Sequence, residues 1–189
     1  SKNSAVALLC ASLLNRGTPT LKHVPKIEEV NRLVEVLRSI GVQIDWSNGG
    51  QTSDLIIKTP AELQLDQLDT AAAVKTRSIL MFLGPLIHWQ KKFSLPHPGG
   101  CKLGERSVRP HLFALENFGV KIISRHNHYE VDASRLTVEN RAFNKNRELV
   151  LYEAGDTVTE NAMMAAALTP GTTMIKFATA NYMVQDLGH

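Results

Sequence analysis

A cysteine on a loop rich in glycine and proline is the side chain of this sequence best suited to nucleophilic chemistry. Cys101 follows Pro-Gly-Gly at 98–100 and is followed by Lys102, Arg106 and Arg109. Glycine lets a backbone approach a ligand closely, and neighbouring cations favour thiolate over thiol. Arginine also presents a planar fork of donors to phosphate or carboxylate. The pattern favours a reactive thiol beside an anion site, although an exposed turn with an isolated cysteine fits the spacing equally well.

The composition is that of a folded globular protein and argues against a nucleic-acid-binding function. Hydrophobic residues make up 43% and charged residues 21% of the 189 positions, which is ordinary for a packed domain. The net charge is only +3 and aromatic residues are 6%, so no basic stripe interleaved with stacking side chains is present. No apolar run reaches the ~18 residues that would indicate a membrane span.

The cysteine and histidine content bears on the redox environment of the protein and on whether it binds a metal. Two cysteines do not make a disulfide framework, and Cys10, in the apolar run AVALLCASLL, is predicted to be a buried small hydrophobic residue. A reducing, cytoplasmic location is the expectation. The histidines at 97, 111, 126 and 128 do not form a convincing metal-ligand set, so no metal is expected.

The elements that must position these side chains follow a weak internal repeat. Each copy reads as an alanine-rich helix, a short strand, an amphipathic helix ending at Gly-Val, and two further strands. Gly41 and Gly119 stand where a left-handed residue ends the second helix. The predicted elements are 3–14, 20–24, 27–40, 42–46 and 54–58, then 70–83, 91–95, 107–118, 120–123 and 128–131, then 159–168, 172–177 and a helix starting at Tyr182. Residues 134–148 are predicted to be a connecting strand and loop.

Each copy corresponds to a βαβαββ unit, with helices inside and sheets outside or the reverse. Three such units would fill one domain, and this chain holds about two and a half of them. The expected fold class is therefore α/β (α+β), with residues 1–189 forming one domain truncated at both ends. A partner segment is expected to be missing.

Four motifs match one known family in order and approximate spacing, over essentially the whole chain. They are Lys2-Asn3-Ser4-Ala5, Arg77 with the downstream Leu83-Gly84-Pro85-Leu86, Pro-Gly-Gly-Cys-x-Leu-Gly-x-Arg at 98–106, and Thr-Glu-Asn-x-Met-Met-Ala-Ala at 159–166. Together they resemble the UDP-N-acetylglucosamine enolpyruvyl (1-carboxyvinyl) transferase family. The resemblance implies two domains, each an inside-out α/β barrel of three βαβαββ units, with the active site in the cleft between them; the second domain would be absent from this chain.

The resemblance also implies a reaction. The enolpyruvyl group of phosphoenolpyruvate would move to the 3′-hydroxyl of UDP-N-acetylglucosamine with release of phosphate, which begins peptidoglycan precursor synthesis. No cofactor is implied, and full turnover is not expected from these 189 residues alone. Cys101 would be the catalytic loop cysteine that fosfomycin alkylates, and Lys2 would stabilise charge at the phosphoenolpyruvate site. The substrate-binding residues implied are Lys2, Asn3, Arg77, Arg106, Ser107, Val108 and Arg109.

Three departures from the family pattern leave alternatives open: two changed segments, and the absence of the second domain, which in the family contributes a catalytic aspartate and a phosphate-binding arginine. Arg109 replaces an acidic residue near the uridine end, Pro110 removes a backbone donor, and Glu153 makes a basic segment acidic. One alternative is an enolpyruvyl transferase with a different acceptor. The shikimate-pathway enzyme shares the fold, but its Gly-Asn-Ala-Gly-Thr motif is missing here. The other alternative is a non-catalytic module that binds a sugar nucleotide or serves in regulation.

Overall fold

The computed structural model describes residues 1–47, 52–99, 107–136 and 146–189. Helices and strands alternate along the chain. The α-helices are α1 Lys2–Ala11, α2 Glu28–Ser39, α3 Thr70–Ala73, α4 Leu83–Leu86, α5 Arg109–Glu116, α6 Asp156–Ala167 and α7 Tyr182–Gly188. The strands are β1 Thr20–Pro25, β2 Gln43–Trp46, β3 Thr52–Lys58, β4 Lys92–Pro96, β5 Lys121–Ser124, β6 His128–Asp132, β7 Asn146–Val150 and β8 Thr172–Lys176. Short 3₁₀ helices span Ser12–Leu14, Leu65–Gln67, Arg77–Phe82 and Ser134–Leu136.

The sheets confirm the internal repeat. The first sheet has the order β1-β3-β2 and the second has the order β4-β6-β5, with every neighbouring pair antiparallel. The third sheet pairs β7 with β8 in parallel, and α6 connects them as a βαβ unit requires. The α/β class and the repetition of its units are therefore confirmed, and the strand predicted within 134–148 continues to Val150.

The apolar spacing of α2 and the glycines predicted to end two helices are found in the structure as predicted. In α2 the residues Val30, Leu33, Val34 and Leu37 are buried on one face, as their spacing indicates. Gly41 and Gly119 have φ angles of 96° and 81°, which is the left-handed conformation that ends a helix at low cost for glycine. These turns direct the chain from α2 into β2 and from α5 into β5.

The prediction of one helix over 70–83 was wrong. Thr76 is extended, at φ −131° and ψ 135°, and its side chain accepts a hydrogen bond from Ser78 N–H, so α3 ends and a 3₁₀ helix begins. The predicted end of that helix at residue 83 was also wrong, because Gly84 and Pro85 lie within α4. Proline is tolerated there since the first turn of a helix does not use its N–H groups internally.

The core lies between the helices, and the sheets cover it. The largest fully buried side chains include Phe82, Leu9 and Leu33, all on helices, whereas β3 alternates between buried and exposed positions. Cys10 is a free thiol with no exposed surface, which confirms its predicted place in the core. Within the described ranges, no helix is both long enough and apolar enough to cross a bilayer.

Candidate substrate cleft

A cleft of about 660 Å³ collects residues from the starts of several helices. Of the residues predicted to bind substrate, Lys2, Asn3, Arg77 and Ser107 line it. Lys2 begins α1, which Ser1 caps by accepting a hydrogen bond from the Ser4 N–H. Helix N-termini present unpaired N–H groups and partial positive charge. The cleft therefore combines two side-chain cations with a backbone arrangement that suits an anion.

Lys2 is held in place by a carboxylate from the first turn of α2. Its ammonium group forms an ion pair with Glu29, whose Oε1 also accepts hydrogen bonds from Ser78 Oγ at 2.5 Å and from Thr76 Oγ1 at 3.4 Å. Burial alone would raise the pKa of Glu29, but the hydrogen bonds from Lys2 and Ser78 and the charge of Lys2 outweigh it and lower that pKa below 4.5. Glu29 is therefore ionised at neutral pH.

We expect Glu29 to stabilise the fold above pH 4.5 and to lose that contribution as the pH falls. Its pKa is lower in the folded than in the unfolded protein, so the unfolded state binds its proton first. The difference in melting temperature between wild type and Glu29→Gln should therefore shrink from pH 7 to pH 3. Glu28→Gln is a matched control, since Glu28 lies beside it and its side chain is 83% exposed. An identical pH profile for both variants would contradict the assignment.

Arg77 connects the cleft to the segment before α5. It is the first residue of the 3₁₀ helix Arg77–Phe82, and its Nη2 donates to the Ser107 carbonyl oxygen at 3.0 Å. The guanidinium group thus orders the backbone at Ser107 while lining the cleft. Arginine is suited to this double task because its fork carries five donors.

Behind the cleft, a buried network joins three segments through Asn161 of α6. Its Nδ2 donates to the Leu80 carbonyl oxygen at 2.9 Å and lies 3.2 Å from Nδ1 of His111, and its Oδ1 accepts from the Gly84 N–H at 2.7 Å. Burial and the nearby charge of Arg77 lower the pKa of His111 to about 4. The imidazole is therefore neutral at physiological pH, so its Nδ1 can accept from Asn161.

Carboxylates from α6 and the segment before it also line the cleft. Glu153, Asp156 and Glu160 line it, and Asp156 Oδ1 accepts from Asn181 Nδ2 at 2.8 Å. Glu160 is only 2% exposed. Burial and the charge of Asp156 raise the pKa of Glu160 from 4.5 to about 7. The cleft therefore carries negative charge as well as the two cations Lys2 and Arg77.

Of the other predicted site residues, two do not line the cleft and two lie outside the described residues. Arg109 forms an exposed ion pair with Glu116 at 2.8 Å, and Val108 packs against the core; neither lines the cleft. Asn3 Nδ2 donates to Met183 Sδ at 3.0 Å on α7, at the edge of the cleft. Cys101 and Arg106 lie outside the described residues, so their roles remain predictions.

The sequence reasoning missed three residues of the cleft: Glu29, His111 and Glu160. Glu160 stands in the Thr-Glu-Asn motif, to which no role was assigned, and His111 was considered only as a metal ligand. Among the described residues, no group of three or more His, Cys, Asp or Glu side chains could hold a metal ion. Glu29 has no sequence signal, because its pairing with Lys2 arises only when α1 and α2 pack together.

Comparison with curated proteins finds relatives along the whole chain. A UDP-N-acetylglucosamine 1-carboxyvinyltransferase from Bradyrhizobium diazoefficiens is 32% identical over 189 residues, which is 100% of this chain and 41% of the relative. UDP-N-acetylglucosamine 1-carboxyvinyltransferase 1 from Carboxydothermus hydrogenoformans is also 32% identical, over 99% of this chain and 41% of its own length. The chain therefore spans about two fifths of the relatives that it matches.

Solved structures share the fold at low sequence identity. The enolpyruvyl transferase NikO from Streptomyces tendae superposes with a TM-score of 0.75 at 18% identity, over 99% of this chain and 41% of that one. EPSP synthase from Acinetobacter baumannii gives 0.64 at 15% identity, over 98% and 40%. The family model described as EPSP synthase (3-phosphoshikimate 1-carboxyvinyltransferase) matches residues 1–187. This chain therefore belongs to the EPSP synthase (3-phosphoshikimate 1-carboxyvinyltransferase) family.

Proposed function

We propose that this chain forms part of the active site of an enolpyruvyl transferase that joins phosphoenolpyruvate to the 3′-hydroxyl of UDP-N-acetylglucosamine. The observation that carries the proposal is the convergence of Lys2, Arg77 and Ser107 in one cleft beside an ordering carboxylate, Glu29. The names of the relatives at 32% identity support the choice of acceptor.

In this mechanism the cations of the cleft bind the anionic donor. The Lys2 ammonium, oriented by Glu29, would contact the phosphate or carboxylate of phosphoenolpyruvate as a point charge, and Arg77 would offer paired donors. The acceptor oxygen then forms a bond to C2 of the enol and gives up its hydroxyl proton, while C3 takes up a proton and the C2–C3 double bond becomes single. Loss of a C3 proton restores that double bond as the C2–O bond to phosphate breaks, and the released phosphate carries away the proton that balances the one lost by the hydroxyl group. Cys101 is proposed to exchange the proton on this path and to be the residue that fosfomycin alkylates.

The proposal includes a second domain of the same enzyme that closes the cleft, and a cytoplasmic location, where phosphoenolpyruvate is a metabolite. The lengths of the relatives support the further domain, since the chain covers 41% of each. Exposed apolar side chains at and beside β7 and β8 support it too: Val150, Tyr152, Met174 and Phe177 are 53–65% exposed. In the described ranges that sheet has two strands where the others have three, so it offers an open surface for added chain.

A second candidate is enolpyruvyl transfer to an acceptor without a diphosphate. Glu153 and Asp156 line the cleft, and their negative charges would repel a diphosphate. An acceptor rich in hydroxyl groups would meet no such repulsion. Titration with UDP-N-acetylglucosamine and with N-acetylglucosamine, which keeps the hydroxyl groups of the sugar but has no diphosphate, separates the two candidates by which one binds.

Loss of the Lys2 charge tests the proposed donor site. We expect Lys2→Met to weaken phosphoenolpyruvate binding by about tenfold or more, because one charge-assisted contact contributes about 1.5–3 kcal/mol. Isothermal titration calorimetry measures this directly. The matched control is Lys22→Met, which removes an exposed lysine from β1. Equal affinities for the two variants, or failure of the wild type to bind phosphoenolpyruvate, would contradict the proposal.

A further inference from the structure

Glu160 lines the cleft, and one oxygen of its carboxyl group is buried without a partner. The residue is 2% exposed and lines the cleft, and its Oε1 is buried with no hydrogen-bond partner in the part of the chain that the structure describes. A buried acceptor without a partner costs about 1–3 kcal/mol. Such a cost inside a polar cleft is expected where a ligand supplies the missing donor.

The neighbours of Glu160 hold its orientation. Thr159 Oγ1 donates to the Gly155 carbonyl oxygen at 2.8 Å and accepts from the Thr179 N–H at 3.1 Å. Asn161, on the other side, is anchored to Leu80 and Gly84. Since both flanking residues are tied to other elements, the start of α6 is fixed in position. Glu160 is therefore held at the cleft that it lines.

The charges around Glu160 are mostly negative or already engaged. Asp156 precedes Glu160 by one helical turn. Burial raises the pKa of Glu160 most, and the negative charge of Asp156 raises it further. On the elements packed around α6, the two cations of the cleft are already engaged: Lys2 of α1 is paired with Glu29, and Arg77 of the 3₁₀ helix donates to the Ser107 carbonyl oxygen. His111 of α5 is neutral. Asp186 of α7 accepts from Ser4, and Lys176 of β8 pairs with Glu148. Within the described ranges, Glu160 has no ion-pair partner.

We propose that Glu160 binds the acceptor substrate, with its carboxylate accepting a hydrogen bond from an acceptor hydroxyl group. This inference rests on the proposed function, because it assumes that an alcohol enters the cleft. A hydroxyl donor suits the acidic side of the cleft, where a phosphate would meet Asp156 and Glu153. Hydrogen bonding to the ionised form favours that form, so binding must expel a proton from Glu160. A contact with a phosphate oxygen would instead take a proton up.

The test is proton release, measured by calorimetry as UDP-N-acetylglucosamine is titrated into the chain at pH 7. Buffers of different ionisation enthalpy report the number of protons released. With a pKa of about 7, we expect about half a proton per ligand from the wild type. Glu160→Gln should release none and bind about tenfold more weakly. Asp156→Asn should move the maximum of release to lower pH, and the exposed control Glu62→Gln should match the wild type.

The outcomes separate this inference from the proposed function. Proton uptake, or unchanged release and affinity in Glu160→Gln, would overturn the role of Glu160 alone. No binding to the wild type would overturn the proposed acceptor and, with it, this inference. Folding of the variant is checked by its melting temperature. Because the pKa of Glu160 is higher in the folded than in the unfolded protein, the wild type loses stability as the pH rises from 4.5 to 7. Glu160→Gln should therefore melt at a higher temperature than the wild type at pH 8.

Discussion

Cys101→Ala is expected to abolish covalent labelling of this protein by fosfomycin completely. The sequence has only two cysteines, and the other one cannot substitute. Cys10 has no exposed surface, and burial, with the nearby charges of Glu160 and Glu29, raises its pKa well above the usual value. Since the thiolate is the reactive form, a buried thiol with a raised pKa does not react. We therefore predict that any adduct forms on Cys101, for which the cationic sequence neighbours Lys102 and Arg106 would favour the thiolate.

Intact-protein mass spectrometry with peptide mapping measures this, with and without UDP-N-acetylglucosamine. The wild type should gain one adduct on Cys101, faster in the presence of the sugar nucleotide. Cys10→Ala should keep the adduct, and Cys101→Asp should lose it. An adduct on Cys101→Ala would contradict the assignment. A large fall in its melting temperature would show that Cys101 is a structural residue instead.

Asn161→Ala is expected to destabilise the fold by about 2–4 kcal/mol. The substitution leaves the buried Gly84 N–H without its partner, which costs about 1–3 kcal/mol. It also removes one of the two donors to the Leu80 carbonyl oxygen, which keeps the Leu83 N–H; a lost hydrogen bond of this kind costs about 0.5–1.5 kcal/mol. It also removes the group that contacts Nδ1 of His111. Because a domain of this kind has a total stability of about 5–15 kcal/mol, much of the protein should be unfolded at modest urea concentration.

Urea denaturation measures the loss of stability in matched variants, and it distinguishes removal of a buried amide side chain from removal of an exposed one. Asn117→Ala removes a similar hydrogen bond, from Nδ2 to the Phe113 carbonyl oxygen at 2.8 Å, but at an exposed position. It should cost less than about 1 kcal/mol. Gly84→Ala should be as damaging as Asn161→Ala, since its Cβ would lie 2.5 Å from Asn161 Oδ1 and 2.6 Å from Asn161 O. Similar costs for Asn117→Ala and Asn161→Ala would rule out the network as a stabilising junction.

The local architecture and the family were predictable from the sequence. The buried face of α2, the left-handed glycines at 41 and 119, and the core position of Cys10 follow from side-chain periodicity and backbone sterics. Those properties depend on residues within a few positions of one another. The four motifs identified the family, which the match over residues 1–187 confirms. The motifs also directed attention to Lys2 and Arg77, which do line the cleft.

The contacts and burial of the cleft residues depend on the tertiary structure and could not be predicted from the sequence. The break in the predicted helix at 70–83 depends on Thr76, whose backbone is extended and whose hydroxyl contacts both Ser78 and Glu29. The pairing of Lys2 with Glu29 and the raised pKa of Glu160 likewise depend on burial and on neighbours from other elements. The spacing of apolar residues along the chain indicates which side chains face the core. It does not indicate which distant group such a side chain contacts, because that contact forms only when the helices pack.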